Sequence, residues 1–255
     1  MGIQRYFIVL AASSAFFFSL GFPGLTQTTR AVTTPPLTES GVEKKIHDYL
    51  LAHPEVLIES LRMAKVREDE QQKALGKALI TSFKKDLVDD PNAPVLGNPA
   101  GDATIVEFFD YRCPYCRQVE PFLQALITND PKVRIVEKEF PILGPASVFA
   151  ARVALVAYKQ GKHKQFRDAL MAKKPKLDEA AILEVAAEVG LNVDQIKVDI
   201  KKPEVDAEIR RNFQIARELK LNGTPAFIVG TELVPGATDL DTLEAMLDDA
   251  RHGSN

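Results

Sequence analysis

The sequence predicts an α/β domain carried behind an N-terminal helical stretch, and three observations carry that expectation. Residues 104–109 (TIVEFF) form a β-branched and aromatic run that leads directly into Cys113-Pro114-Tyr115-Cys116 and a helical pattern. Strand and helix signals alternate from there to the end of the chain. From residue 40 to 88 the pattern is helical only, and residues 89–102 (DDPNAPVLGNPAGD) between the two regions are dense in Pro, Gly, Asn and Asp, as a boundary is. At 255 residues the chain exceeds one typical domain, so a domain with an appendage is the expected organisation.

From the N-terminus, Arg5 precedes an apolar run at 6–20 that Gly21, Pro23 and Gly24 end. Fifteen residues are short for a span of about 20, so the run reads as a secretory signal within residues 1–31, with Ala31 a cleavage candidate. An uncleaved anchor is the other reading. Residues 26–38 are a Thr/Pro-rich tether. Ser40 and Glu43 have capping-box spacing, and Ile46, Tyr49 and Leu50 follow as an apolar stripe. Ala52-His53-Pro54 interrupts it, because the residue before Pro avoids helix while Pro suits a first turn. A helix is expected from 55 to about 87. Val56, Leu57, Leu61 and Ala64 give it one stripe and Leu75, Leu79, Ile80 and Phe83 another, with the polar stretch 65–73 between. The first stripe has no partner in its own segment, so residues 38–90 read as a stalk that self-associates or docks back on the main domain.

In the main domain, 91–255, the expected helix after the cysteines carries Val119, Phe122, Leu123 and Leu126. Residues 133–136 are a second strand, 145–219 are helical in pattern, and 226–229 and 232–234 are two more strands. A last helix opens on a second capping-box spacing, Thr238 and Asp241, and shows Leu240, Leu243 and Leu247 on one face.

Composition removes several function classes. A net charge of −3 with both signs intermixed offers no basic face for nucleic acid. Two cysteines exclude a disulfide-stapled scaffold and a Cys-rich zinc module. A C-x-x-C that opens a helix after a buried strand is a redox arrangement. Unpaired N–H groups and the positive end of the helix dipole favour a thiolate at Cys113, the expected nucleophile; Cys116, one turn inward, can resolve a mixed disulfide. Pro114 fits the first helical turn. Other readings are weaker. A structural disulfide here closes so short a loop that it contributes about 2 kcal/mol before strain. Structural zinc lacks further ligands, since His47, His53, His163 and His252 show no zinc-like spacing to the pair. Cu(I) on the two thiolates is compatible with redox chemistry rather than opposed to it.

The run 107–116 (EFFDYRCPYC), with Gly223-Thr224-Pro225-Ala226-Phe227 downstream, resembles the DsbA-like thiol:disulfide oxidoreductases of the thioredoxin fold. The likeness covers about residues 95–250 and implies a helical insertion at about 145–222. Residues 49–57 (YLLAHPEVL) resemble more narrowly the suppressor-of-copper-sensitivity C type, which implies a trimer built by the N-terminal helices. By the same resemblance Thr224-Pro225 is a cis-proline loop opposite the cysteines, which with Pro114 and Tyr115 contacts substrate. Glu107 is the family's buried acid, able to exchange a proton with Cys116, and Lys138 is its expected partner. Tyr115 stands where strong oxidants of the family carry His.

The resulting expectation is a periplasmic thiol:disulfide interchange protein that reduces or isomerises disulfides in misoxidised secreted proteins, with Cys113, Cys116, Glu107 and Lys138 catalytic. It needs no cofactor or metal and implies a membrane redox partner. The competing readings are a dithiol oxidase and a copper-binding or holdase module that uses the same cysteines.

Overall fold

A computed structural model of the chain describes residues 39–172 and 177–252; the expected signal, Ala31 and the tether lie outside these. The chain divides into two compact units, Met1–Ile58 and Glu59–Asn255.

In the first unit, α1 runs Glu39–Ala52 and α2 begins at Pro54. The interruption falls at His53, where the backbone N–H still reaches Tyr49 O at 2.8 Å but Pro54 has none to donate. Ser40 lies inside α1 rather than capping it, a correction to the capping-box expectation. Ile46, Tyr49, Leu51, Val56, Leu57 and Ile58 are all exposed, Leu51 and Ile58 by 70% and 67%.

In the second unit α2 continues to Ser82. The expected unbroken helix to Leu87 instead turns at Phe83, and a short α3 follows at Lys84–Val88. The polar stretch 65–73 is solvated, and Ile80 begins the packed part of the helix. The boundary segment holds a strand the sequence did not announce, β1 at Val95–Gly97. Its last residue must be glycine: φ is 75°, and a Cβ would lie 2.5 Å from Val133 O.

The chain then continues as β2 (Ala103–Phe109), α4 (Pro114–Asn129) and β3 (Val133–Glu139). An all-helical insertion follows: α5 (Pro145–Lys159), α6 (His163–Ala172), α7 (Glu179–Glu188), α8 (Val193–Asp199) and α9 (Pro203–Glu218). β4 (Ala226–Val229), β5 (Glu232–Pro235) and α10 (Leu240–His252) complete it. Asp239 caps α10, its Oδ1 accepting from Thr242 N at 2.8 Å, so Thr238 is not the cap. The sheet order is β1-β3-β2-β4-β5, with β2 and β3 parallel and the other pairs antiparallel.

Alternation along the central strands sends side chains to two cores. Ala103 and Ile105 with Val133 and Ile135 pack under α4 and α10, against Leu123, Leu126, Leu243 and Leu247. Val106, Phe108 and Val136 pack on the opposite side against Leu87, Ile215 and Leu219. The insertion has its own core, in which Ala150–Ala157 of α5 meets Phe166, Ile182 and Ile196.

β3 is three residues longer than its apolar run, through Glu137, Lys138 and Glu139, all fully buried. Its register decides where these charges go. Glu107 pairs with Glu137 and Phe108 with Lys138, so Glu107 and Lys138 project from opposite faces. The expected Glu107–Lys138 partnership is therefore corrected. Lys138 Nζ instead donates to Asp90 Oδ2 at 2.5 Å, with Glu208 at 4.0 Å, and both Lys138 and Asp90 side chains have no exposure. Removing one partner of such a pair leaves an uncompensated buried charge. Lys138→Met is expected to lower stability by about 3–5 kcal/mol in urea unfolding, and pairing it with Asp90→Asn to recover a large part of that. A Lys138→Met loss under about 1 kcal/mol would mean that the pair is dispensable.

Candidate active site

β2 ends at Phe109, and the four residues after it deliver the chain into α4. Asp110 holds that turn. Its Oδ1 accepts from Arg112 N at 2.8 Å, its Oδ2 from Leu143 N at 3.0 Å, and its carbonyl from Cys113 N at 3.0 Å. Arg117 closes the turn from the helix side, donating from Nε and Nη2 to Tyr111 O at 3.1 and 2.8 Å. Cys113 is the N-cap of α4, with extended backbone, and Pro114 is the first helical residue, so the helix start faces Cys113 with unpaired N–H groups.

The two cysteines are unbonded to each other and differ sharply. Cys113 Sγ contacts Thr224 O at 3.2 Å, and the Thr224-Pro225 peptide bond is cis. A hydrogen bond from Cys116, then the Thr224 side chain and the backbone N–H groups of Cys116 and Tyr115, outweigh burial and bring the Cys113 thiol down to about 5. Cys116 has no exposure. Burial first, then its donation to Cys113 and the charge of Glu107, hold it a thiol far above the usual range. Such a pair presents one thiolate near neutral pH and keeps the second proton in reserve. Tyr115 in the first turn of α4, 59% exposed, and Leu143 on the loop held by Asp110 and Arg112, 41% exposed, are apolar surface near Cys113.

Behind the cysteines lies a layer of buried charge that only the structure reveals. Arg167 on α6, wholly buried, reaches three carboxylates on three other elements. Nη2 is 3.3 Å from Glu107 on β2, Nη1 is 2.5 Å from Glu120 on α4, and Nε meets Glu137 on β3. Its carbon Cζ sits 5.4 Å from the Phe109 ring centroid. His163 Nδ1 is 3.3 Å from Glu137 Oε2, and Tyr111 donates to Glu139 Oε1 at 3.1 Å. Burial raises Glu107 to about 7 and Glu137 to about 8, against the opposing pull of Arg167. Burial and the nearby Arg167 push His163 down to about 3, so it is neutral.

Of the predicted site residues, Cys113, Cys116, Thr224 and Pro225 come together, Pro114 and Tyr115 lie between the cysteines, and Glu107 lies behind them. Lys138 does not join them. Arg167, Glu120, Glu137 and His163 were missed. A signal existed: His163, Phe166, Arg167, Leu170 and Met171 form the buried stripe of α6, and an Arg at a core position must find carboxylates.

The profile of the DSBA-like thioredoxin domain matches residues 104–248, well over half the chain. The chain belongs to the family of the DSBA-like thioredoxin domain. The profile of the copper resistance protein ScsC N-terminal domain matches residues 39–74. Among solved structures, this DsbA-like chain is 50% identical to a thioredoxin-like oxidoreductase from Silicibacter pomeroyi, over 66% of this chain and 96% of that one, with a TM-score of 0.64. BcfH of Salmonella enterica Typhimurium is 27% identical over 83% and 95% of the two chains, with a TM-score of 0.71. A linker-deleted Proteus mirabilis ScsC is 26% identical over 86% and 98%, at 0.65. Among curated relatives, the probable disulfide bond formation protein D of Bacillus anthracis is 28% identical over 60% of this chain and 76% of its own. The first curated relatives are Na(+)/H(+) antiporters such as NhaA 3 of Salinispora tropica, 29% identical, of whose length the chain spans only 24%.

The raised acids fix the sign of a pH effect. A carboxyl raised in the folded state binds a proton that the unfolded chain has already lost, so stability falls as pH rises from the unfolded value through the folded one. Buried His163 acts oppositely, but only below its unfolded value of 6.5. Glu139 and Glu208, also raised by burial, act in the same direction as Glu107 and Glu137, so between pH 6.5 and 8 these four acids dominate. The oxidised protein, which has no free thiol to titrate, is expected to lose at least about 2 kcal/mol over that window in urea unfolding, and Glu107→Gln to remove part of the slope. A flat profile would mean that all four acids are ionised throughout.

Proposed function

We propose that the protein is a periplasmic thiol:disulfide interchange protein that reduces and isomerises disulfides in secreted proteins as a self-associated, trimeric assembly. The observation that carries the reading is the asymmetry of the pair: a lowered Cys113 at a helix start, against Thr224 of a cis-proline loop, above a buried Cys116 that retains its proton.

The Cys113 thiolate attacks one sulfur of a substrate disulfide, forming a Cys113–substrate disulfide and releasing the other substrate sulfur as thiolate. Thr224 and Pro225 hold the substrate chain extended beside the cysteines, and Pro114, Tyr115 and Leu143 offer it apolar contact. If a different substrate thiolate then attacks the mixed disulfide, the substrate leaves rearranged and Cys113 is again a thiolate. If instead Cys116 loses its proton and attacks Cys113 Sγ, the substrate leaves reduced and Cys113–Cys116 is a disulfide, which a membrane redox partner must reduce. Glu107 is the acid that accepts or returns the Cys116 proton.

Isomerisation is favoured over oxidation by the N-terminal helices. Their exposed apolar side chains, Leu51, Leu57, Ile58 and Leu61 among them, suit burial between copies of the chain, and the ScsC N-terminal profile covers the same residues. Several sites held around one shared space can return to the same substrate. Secretion follows from the signal expected within residues 1–31; among the described residues no helix is long and apolar enough to cross a membrane.

The test is recovery of scrambled ribonuclease by the reduced protein, with and without Leu57→Asp and Leu61→Asp together. The unaltered protein is expected to exceed a glutathione control and to run as a trimer in light scattering. The double variant should run as a monomer and lose several-fold in recovery, with its rate of reaction with a small disulfide unchanged. No recovery by the unaltered trimer would overturn isomerisation and favour a dithiol oxidase. Unchanged recovery by a monomeric variant would overturn the need for assembly.

A further inference from the structure

Arg167 belongs to the helical insertion, 47 residues from Glu120 and 60 from Glu107 in sequence, yet it is the cation around which the charges behind the cysteines are arranged. Each arm of its guanidinium is committed. Nη2 lies 3.3 Å from Glu107 Oε2, Nη1 donates to Glu120 Oε2 at 2.5 Å, and Nε meets Glu137. Arg167, Glu107 and Glu137 side chains have no exposure, and Glu120 has 17%. Glu107 Oε1 has no hydrogen-bond partner, so Arg167 is the contact on which the charged form of that acid depends.

We propose that Arg167 is a positioning residue for the redox pair: it grips Glu107 from the insertion and thereby sets the pH range in which Glu107 takes up a proton when the Cys113–Cys116 disulfide is reduced. The proposal rests on thiol–disulfide exchange at this site.

The charges facing Glu107 come from every element packed around it. They are Arg167 and neutral His163 from α6, Glu120, Cys113 and Cys116 from α4, and Glu137 from β3, with Glu139 and Tyr111 further along. Arg167 is the cation in contact with Glu107, since His163 is held neutral and Arg117 of α4, which faces the two cysteines, donates to Tyr111 O instead. Three carboxylates compete for one guanidinium, and burial penalises every one left ionised without it. Glu120, the least buried of the three, holds its own arm of the fork, so its negative charge adds to the pressure on Glu107 to stay protonated.

The proton balance makes this measurable. Two glutathione thiols supply two electrons: the Cys113–Cys116 bond breaks, one glutathione disulfide forms, Cys113 leaves as a thiolate, Cys116 takes one proton and one proton is released. The new Cys113 thiolate disfavours a negative Glu107. Where Glu107 is ionised in the oxidised protein and protonated in the reduced one, it absorbs the released proton. A plot of the logarithm of the reduction equilibrium constant against pH then has unit slope, except for a flattened stretch near the Glu107 midpoint, around neutrality.

The experiment is that plot for the full chain, equilibrated with glutathione between pH 5.5 and 8.5. Arg167→Met is expected to move the flattened stretch up by about one pH unit or more, the usual effect of removing an opposite charge at this distance. Arg167→Lys keeps the charge and is expected to leave it nearer its original place. Glu120→Gln, a milder change at a less buried position, should move it the opposite way, toward acid. Opposed shifts from two substitutions in one cluster cannot come from loss of stability, and the Lys and Gln variants carry the test if Arg167→Met does not fold. A flattened stretch unmoved in Arg167→Lys and Glu120→Gln, or moved the same way in both, would overturn the role of Arg167. Failure of the unaltered protein to equilibrate with glutathione at all would instead overturn the exchange reading.

Discussion

Everything in the redox domain is arranged around one junction, the four residues that carry the chain from the end of β2 into the first turn of α4. A strand buried on both faces and hydrogen-bonded on both edges fixes where the junction starts. A helix packed through Val119, Leu123 and Leu126 fixes where it ends. Cys113 therefore has little positional freedom, and its sulfur stands where the helix start and the Thr224-Pro225 loop meet. The chemistry follows from that placement, because a thiolate at a helix N-terminus is stabilised while a thiol one turn deeper in apolar surroundings is not ionised.

The same two strands that present the cysteines also divide the buried charges. Residues of one parity on β2 and β3 face α4, α10 and Arg167 of α6, and those of the other face α9 and the segment before β1. Glu107, Glu137 and Arg167 form the layer on the cysteine side; Lys138, Asp90 and Glu208 form a separate layer on the other. The first tunes the site. The second joins β3 to the chain around Asp90 and is structural, although both consist of ionisable groups buried in the same sheet.

Much of this was legible in the sequence, for reasons that also explain what was not. The strand at 104–109, the cysteine helix and the helical run at 145–219 are local patterns of apolar periodicity and turn chemistry, and the Thr224-Pro225 loop was legible through the family resemblance. The strand β1 escaped because three residues among Pro, Gly and Asn carry no periodicity, and it exists only by pairing with β3. The C-terminal extension of β3 escaped because Glu137, Lys138 and Glu139 lie past its apolar run, whereas the fold buries Glu137 against Arg167, Lys138 against Asp90 and Glu139 against the Tyr111 hydroxyl. The partnership of Glu107 with Lys138 was drawn one residue out of register, and in a strand one residue is the difference between opposite faces. Arg167 required knowing which helix of the insertion packs behind the cysteines, a long-range fact that no local window contains. Its position on the apolar stripe of α6 was the available sign.

The account stands on Cys113 alone being the reactive thiolate, and the most direct measurement is iodoacetamide alkylation of the reduced full chain as a function of pH, with the modified residue located by mass spectrometry. Modification confined to Cys113, at a rate that follows an ionisation near 5, is the predicted result. Parallel modification of Cys116, or a Cys113 rate that rises only near the ordinary thiol range of about 8.5, would contradict it.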